Sequence, residues 1–82
     1  VMVKPGMPYL DIIKLIKEKF KIPVFAYQVS GEYSLIKSGI KNKFINEDAI
    51  FESLISFKRA GASAIVSYFA IEIAKKIKDQ LK

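Results

Sequence analysis

The 82 residues include 14 Lys or Arg and 8 Asp or Glu, giving a formal net charge of +6, and 51% of them are hydrophobic. This composition is that of a globular chain and differs from that of a disordered tail. The sequence contains no cysteine and no histidine. Disulfide frameworks, thiolate metal sites and catalytic triads built on histidine are therefore excluded for this stretch.

Two further features concern the kind of protein to which the sequence belongs. No apolar run reaches the roughly 18 residues that a membrane-spanning helix needs, so we expect no membrane partner. The sequence begins Val-Met-Val-Lys-Pro, inside an apolar run and without an initiating Met. We therefore expect it to be a fragment of a longer protein.

Three apolar, β-prone runs predict strands at about residues 1–4, 22–29 and 63–68. The second and third runs are almost continuously hydrophobic, which is typical of strands that a parallel sheet buries on both faces.

Helical patterns lie between and after these runs. Residues 8–20 have apolar side chains at helical spacing, and Pro8 suits the first turn of a helix. A shorter and weaker helix is predicted for 31–41, after Ser30-Gly31. The predicted buried face of the first helix consists of Tyr9, Ile13, Ile16 and Phe20.

Two more helices are predicted at 47–60 and at about 70–82. Asn46 is a suitable cap for the first of them, and Gly61 is a natural stop. The predicted buried residues are Ile50, Leu54 and Phe57 in the first helix and Ala70, Ala74, Ile77 and Leu81 in the second.

The resulting order, β-α-β-(α)-α-β-α, predicts an α/β fold with parallel strands and right-handed crossovers. It fits a piece of a (β/α)8 barrel or a piece of a doubly wound sheet. A barrel uses roughly 31 residues for each of its units, so this length corresponds to between two and three units. No glycine-rich phosphate-binding loop follows any strand, so the phosphate-binding forms of the doubly wound sheet have no support.

Lys4 is the first candidate for chemistry, because it ends an apolar strand and precedes Pro5. The residue before a proline is biased towards extended backbone, and the carboxyl ends of parallel strands are where function concentrates. An amine held against apolar surroundings loses its charge more readily, and a neutral amine can attack a ketone to form a Schiff base. The alternative is a lysine that simply extends into solvent.

Polar residues also stand at the ends of the other two strands. Ser30 could cap the following helix, or its hydroxyl and the nearby N–H groups could receive a substrate carboxylate. Tyr68 could be an aromatic core residue or a phenol that donates to the same carboxylate. Tyr27 is interpreted as packing, as in the wall of a pocket. In a parallel sheet Lys4, Ser30 and Tyr68 would all project at one edge.

Several segments together carry a family resemblance. They are Val3-Lys4-Pro5-Gly6, Tyr9-Leu10-Asp11, Ala26-Tyr27-Gln28-Val29-Ser30-Gly31-Glu32-Tyr33, Lys58-Arg59-Ala60-Gly61-Ala62 and Ser67-Tyr68-Phe69-Ala70. In this order and spacing the sequence resembles the C-terminal part of the porphobilinogen synthase, or δ-aminolevulinic acid dehydratase, family. The resemblance implies that residues 1–82 form the last three β/α units of an incomplete (β/α)8 barrel.

The resemblance also implies a function. The family condenses two molecules of 5-aminolevulinate into porphobilinogen, an early step of tetrapyrrole and heme biosynthesis, and two lysines form Schiff bases with the substrates. Lys4 matches one of these lysines, Ser30 and Tyr68 match residues that bind the carboxylate of its substrate, and Tyr27 matches an aromatic of the pocket wall.

Other parts of the family's machinery lie outside this sequence, including the second lysine, the arginines that bind the other substrate and the metal ligands. We therefore expect no metal or cofactor within this stretch, and the use of zinc or magnesium by the parent enzyme stays open. The resemblance further implies a cytoplasmic parent that forms a homo-octamer. The isolated stretch is expected to be inactive and to self-associate through its open sheet edges.

Two other classes of function remain open. A charge of +6 with interleaved aromatic residues can mark a nucleic-acid-binding module. However, the lysines are spread over at least three helices among acidic residues, so we expect no nucleic-acid partner. The second alternative is a structural subdomain without a site. Convergence of Lys4, Ser30 and Tyr68 in the fold would favour an enzyme over this alternative.

Overall fold

The computed structural model describes residues 1–80, and strands alternate with helices along them. The strands are β1 (Met2–Val3), β2 (Phe25–Gln28) and β3 (Ala64–Ser67). The helices are α1 (Leu10–Phe20), preceded by a 3-10 turn at Met7–Tyr9, α2 (Ser30–Lys41), α3 (Asp48–Ala60) and α4 (Ala70–Gln80). The predicted order of elements is thus confirmed.

The three strands form one parallel sheet in the order β1-β2-β3, with β2 in the centre. Val3 pairs with Ala26, and Gln28 pairs with Ser67, so the carboxyl ends of all three strands lie at one edge. Each strand is shorter than its apolar run. The runs extend past the paired residues, and Ile22 and Pro23 lie outside β2 as exposed residues.

The core lies between the sheet and the helices. Ile13 of α1, Val24 and Ala26 at β2, and Phe57 of α3 have no exposed surface. The remaining buried apolar residues are Val3, Ile36, Leu54 and Phe69. Burying apolar surface in this way is the main contribution to the stability of such a fold.

Two helix ends follow the predicted chemistry. The Asn46 side-chain oxygen accepts a hydrogen bond from the backbone N–H of Asp48 at 2.9 Å, although the helix begins one residue later than predicted. Gly61 ends α3 with a φ of 111°, in the left-handed region that glycine adopts without a steric penalty. The Ala62 N–H then donates to the Phe57 carbonyl at 3.0 Å.

The predicted burial of several apolar residues is wrong. Tyr9 is exposed because it lies in the 3-10 turn, outside the regular phase of α1. Phe20 is exposed because α1 ends there, at a left-handed Lys21. On α4, exposed residues include Ala70, Ala74 and Ile77, while Ile73 packs partly against the core. Leu81 lies outside the described residues.

Within residues 1–80, none of the helices is both long enough and apolar enough to cross a membrane.

Candidate active site

Lys4, Ser30 and Tyr68 all follow the carboxyl edge of the sheet. Lys4 comes directly after the last residue of β1, Tyr68 directly after the last residue of β3, and Ser30 two residues after the end of β2. Tyr27 lies within β2, paired with Val66 of β3. The parallel topology therefore brings the segments that carry the four candidates to one edge of the sheet.

The side chain of Lys4 is exposed, contrary to the expectation of an amine held against apolar surroundings. The reason is the position of β1, which is a two-residue strand at the edge of the sheet with a neighbour on one side only. Within the described residues, Lys4 therefore faces solvent, as the alternative interpretation expected.

The backbone around Lys4 is nevertheless fixed. Gly6 donates its N–H to the carbonyl of Tyr27 at 2.9 Å, so the segment after β1 stays attached to β2. A Cβ atom at Gly6 would lie 2.6 Å from Cε1 of Phe57. Only glycine allows this close approach, which holds the Lys4 segment against the core.

Ser30 is the first residue of α2 and is exposed. Its predicted alternative role as the helix cap is wrong, because Val29 precedes the helix in extended backbone. The Glu32 carboxylate, three residues after Val29, accepts the Val29 N–H at 3.0 Å, which is one half of a capping box. Among the hydrogen bonds found in residues 1–80, none uses the Ser30 hydroxyl, which leaves this group available to a ligand.

The predicted core alternative for Tyr68 is also wrong. Tyr68 is 58% exposed, whereas the next residue, Phe69, is fully buried. The ring of Tyr68 lies against Tyr33, with 5.4 Å between the ring centroids. The pKa of Tyr27 is raised above its ordinary value of 10.0. The larger cause is hydrogen bonding to the Tyr68 side chain, and a smaller one is repulsion between the two phenolates.

The structure adds a buried polar cluster that the sequence analysis missed. Gln28, which has no exposed surface, donates to the Ser53 hydroxyl at 2.9 Å and accepts from the Ser67 hydroxyl at 2.6 Å. The Ser67 hydroxyl in turn accepts the Phe69 N–H at 3.0 Å. These bonds connect β2, β3 and α3, and Gln28 and Ser67 are the sequence neighbours of Tyr27 and Tyr68. A glutamine inside an otherwise apolar strand run was the available signal.

Glu32 is the second group that the sequence analysis missed. Its two carboxylate oxygens accept the N–H groups of Met7 and Val29, at 2.9 and 3.0 Å. The signal was an acidic residue three positions after the residue that precedes the helix.

No cluster of three or more acidic, histidine or cysteine side chains that could hold a metal ion is present in the described part of the chain. The segments that follow the three strands carry an amine, a hydroxyl and a phenol to one edge of the parallel sheet, and a second phenol lies within β2.

Comparison with known proteins identifies the family. The family profile named Delta-aminolevulinic acid dehydratase matches residues 1–76. The chain belongs to this family. It is 57% identical over 77 residues to the delta-aminolevulinic acid dehydratase of Archaeoglobus fulgidus, covering 94% of this chain and 24% of that protein. It is 53% identical over 81 residues to the dehydratase of Bradyrhizobium diazoefficiens, covering 98% of this chain and 23% of that protein.

A solved structure from the dehydratase family resembles the fold closely. The delta-aminolevulinic acid dehydratase (porphobilinogen synthase) of Toxoplasma gondii ME49, in complex with the reaction product porphobilinogen, superposes with a TM-score of 0.87 at 52% identity. The match covers 90% of this chain and 21% of that one. It confirms the predicted fold class, α/β with parallel strands as an incomplete barrel. The chain spans about a quarter of the length of the relatives it matches.

Proposed function

We propose that the full-length protein containing these residues is a porphobilinogen synthase, which joins two molecules of 5-aminolevulinate to form porphobilinogen with loss of water. Full-length here means the complete reading frame in which the 82 residues occur. The observation that carries the proposal is the 52% identity and close superposition with a dehydratase that holds porphobilinogen. The product would feed tetrapyrrole and heme biosynthesis.

In this proposal Lys4 acts by covalent catalysis. Its neutral amine attacks the C4 ketone of one 5-aminolevulinate, the carbonyl oxygen leaves as water, and an imine joins the lysine nitrogen to the substrate carbon. Lys4 is exposed in these residues alone, so the surroundings that favour its neutral form would come from the remainder of the full-length protein.

Ser30 and Tyr68 bind the carboxylate of the same substrate, and Tyr27 forms part of the pocket wall. The available hydroxyl of Ser30 and the exposed phenol of Tyr68 support these roles. Binding energy from the carboxylate, away from the reacting carbon, would hold the ketone in place for attack.

Trapping of the Schiff base tests the proposal. The full-length protein is incubated with 5-aminolevulinate, reduced with borohydride and digested for peptide mapping. We expect a stable adduct on Lys4, no adduct there in Lys4→Met, and an unchanged adduct in Lys14→Met, which removes an exposed lysine of α1. A wild-type protein without any Lys4 adduct would refute the assignment.

The 82-residue chain by itself should not produce porphobilinogen, because it supplies only one of the two proposed lysines. A colour assay for porphobilinogen on the purified chain checks this expectation, and turnover would contradict it. Exposed apolar residues and open sheet edges also predict self-association. Light scattering that shows a stable monomer would contradict that prediction.

The properties of the full-length protein extend the proposal. We infer a cytoplasmic homo-octamer that binds neither nucleic acid nor membrane, and zinc and magnesium both remain open as its metal. Size-exclusion chromatography with light scattering measures the assembly, and assays after chelation and readdition of each metal distinguish the two ions. Salt-sensitive binding to random DNA would contradict the absence of a nucleic-acid partner.

A further inference from the structure

Glu32 connects two segments that follow different strands. Its Oε2 atom accepts the Met7 N–H at 2.9 Å, and its Oε1 atom accepts the Val29 N–H at 3.0 Å. Both bonds are partly buried. Hydrogen bonds to an ionised carboxylate are stronger than those between neutral groups. One side chain therefore ties the segment after β1 to the turn that begins α2.

The first of these segments carries Lys4. Val3 pairs with Ala26 just before Lys4, and Gly6 is bound to the Tyr27 carbonyl just after it. Glu32 then fixes the next residue, Met7. Because the Lys4 side chain itself is exposed, these backbone bonds determine the position from which the side chain extends.

The second segment carries Ser30. The Val29 N–H, bound by Glu32, comes one residue before Ser30. Glu32 lies in the first turn of α2, where a negative charge interacts favourably with the helix dipole. Because Ser30 is the first helical residue and Val29 occupies the cap position, the Ser30 hydroxyl has no capping role and can face a ligand.

We propose that Glu32 is a positioning residue that sets the separation between the Lys4 amine and the Ser30 hydroxyl. This inference rests on the proposed function, in which Lys4 binds the ketone and Ser30 the carboxylate of one small substrate. The separation of the two groups must then match the distance from the ketone to the carboxylate. Glu32 acts on this separation through the backbone of the two segments.

Three variants of the full-length protein test the inference. Glu32→Ala removes both hydrogen bonds. Glu32→Gln keeps the size of the side chain but only one acceptor oxygen, and its amide group faces an N–H donor. Glu18→Gln is the matched control, because it removes the same charge from an exposed position on α1. Each variant is assayed below its measured melting temperature, so that only folded protein is compared.

The rate of borohydride-trapped adduct formation on Lys4, together with kcat and KM, distinguishes positioning from a purely structural role. A misplacement of about 1 Å can cost roughly 100-fold, so we expect kcat/KM of Glu32→Ala to fall by about that factor. Glu32→Gln should lose less, adduct formation on Lys4 should slow in the same order, and Glu18→Gln should match the wild type.

Folded Glu32→Ala or Glu32→Gln protein with wild-type kcat/KM and adduct formation would overturn the inference while leaving the proposed function intact. If Glu32→Ala does not fold, the isosteric Glu32→Gln variant decides on the same measurements. A wild-type protein that forms no Lys4 adduct would instead refute the proposed function, and the role of Glu32 with it.

Discussion

Helices α3 and α4 flank the same strand, β3, and both have an apolar face, but only α3 buries it. Leu54 and Phe57 of α3 are almost or fully buried. In α4, Ile71 is 72% exposed, and Ile73 is the residue that packs partly against the core. The difference arises because α3 also contacts α1 and the 3-10 turn. Periodicity thus predicts which face of a helix is apolar, whereas burial depends on which neighbours are present.

The largest expected effect comes from removing a core side chain of α3. Phe57→Ala should lower the free energy of unfolding by about 3–5 kcal/mol, because it leaves a cavity at a fully buried position. Ile71→Ala on α4 should change it by less than about 0.5 kcal/mol, as is usual for an exposed position. Urea unfolding of the 82-residue chain, diluted until the midpoint no longer depends on protein concentration, measures both values. Equal losses in the two variants would contradict the difference between the helices.

The next effect concerns the polar cluster that joins β3 to α3. Ser67→Ala should cost about 1–3 kcal/mol, because the buried Gln28 oxygen and the Phe69 N–H both lose their partner. Ser34→Ala, at an exposed position on α2, is the matched control and should be nearly neutral. The same urea experiment applies. A neutral result for Ser67→Ala would show that these bonds are replaced, for example by water.

The polar cluster around Gln28 also shows which features of the fold could not be predicted from the sequence. The alternation of apolar runs and helical patterns predicted the order of elements and the parallel sheet, because these follow from local periodicity and chain connectivity. It did not predict that Gln28 is satisfied by Ser53 and Ser67, because those partners lie 25 and 39 residues away. A glutamine in an apolar run signals that its amide needs partners, but the local pattern does not show which residues they are.

The candidate site, too, could be predicted only in part from the sequence. The positions of Lys4, Ser30 and Tyr68 after three strand ends followed from topology. The exposure of Lys4 did not, because it depends on how a short edge strand packs, and neither did the bond from Met7 to Glu32, because these residues are 25 positions apart. The chemical roles of these residues stay predictions, and the trapping experiment tests that of Lys4.

A smaller effect is expected where α3 ends. Gly61→Ala should cost about 1–2 kcal/mol, because residues with a Cβ are strained in the left-handed region. Gly31→Ala in α2 is a suitable comparison, since a Cβ there meets no atom within 4 Å. That variant should gain up to about 1 kcal/mol, because alanine loses less backbone entropy on folding. Thermal unfolding of both variants measures the contrast, and similar melting temperatures would contradict it.

The smallest effect concerns the pH dependence of stability and the ionisation of Tyr27. Because the Tyr68 side chain raises the pKa of Tyr27 above 10.0, the folded chain holds this proton at a pH at which the unfolded chain has released it. The contribution of the Tyr27 phenol to the free energy of unfolding is therefore complete below about pH 10 and is lost as the pH rises through the folded-state pKa.

Tyr68→Phe should lower the pKa of Tyr27 and make stability less dependent on pH above about 10, since the phenol that interacts with Tyr27 is gone. NMR titration of isotope-labelled tyrosine follows the Tyr27 resonance directly. Tyr9→Phe is the control, because it removes an exposed phenol from the 3-10 turn and should leave the titration of Tyr27 unchanged. An equal response of the Tyr27 titration to both variants would contradict the influence of Tyr68 on the pKa of Tyr27.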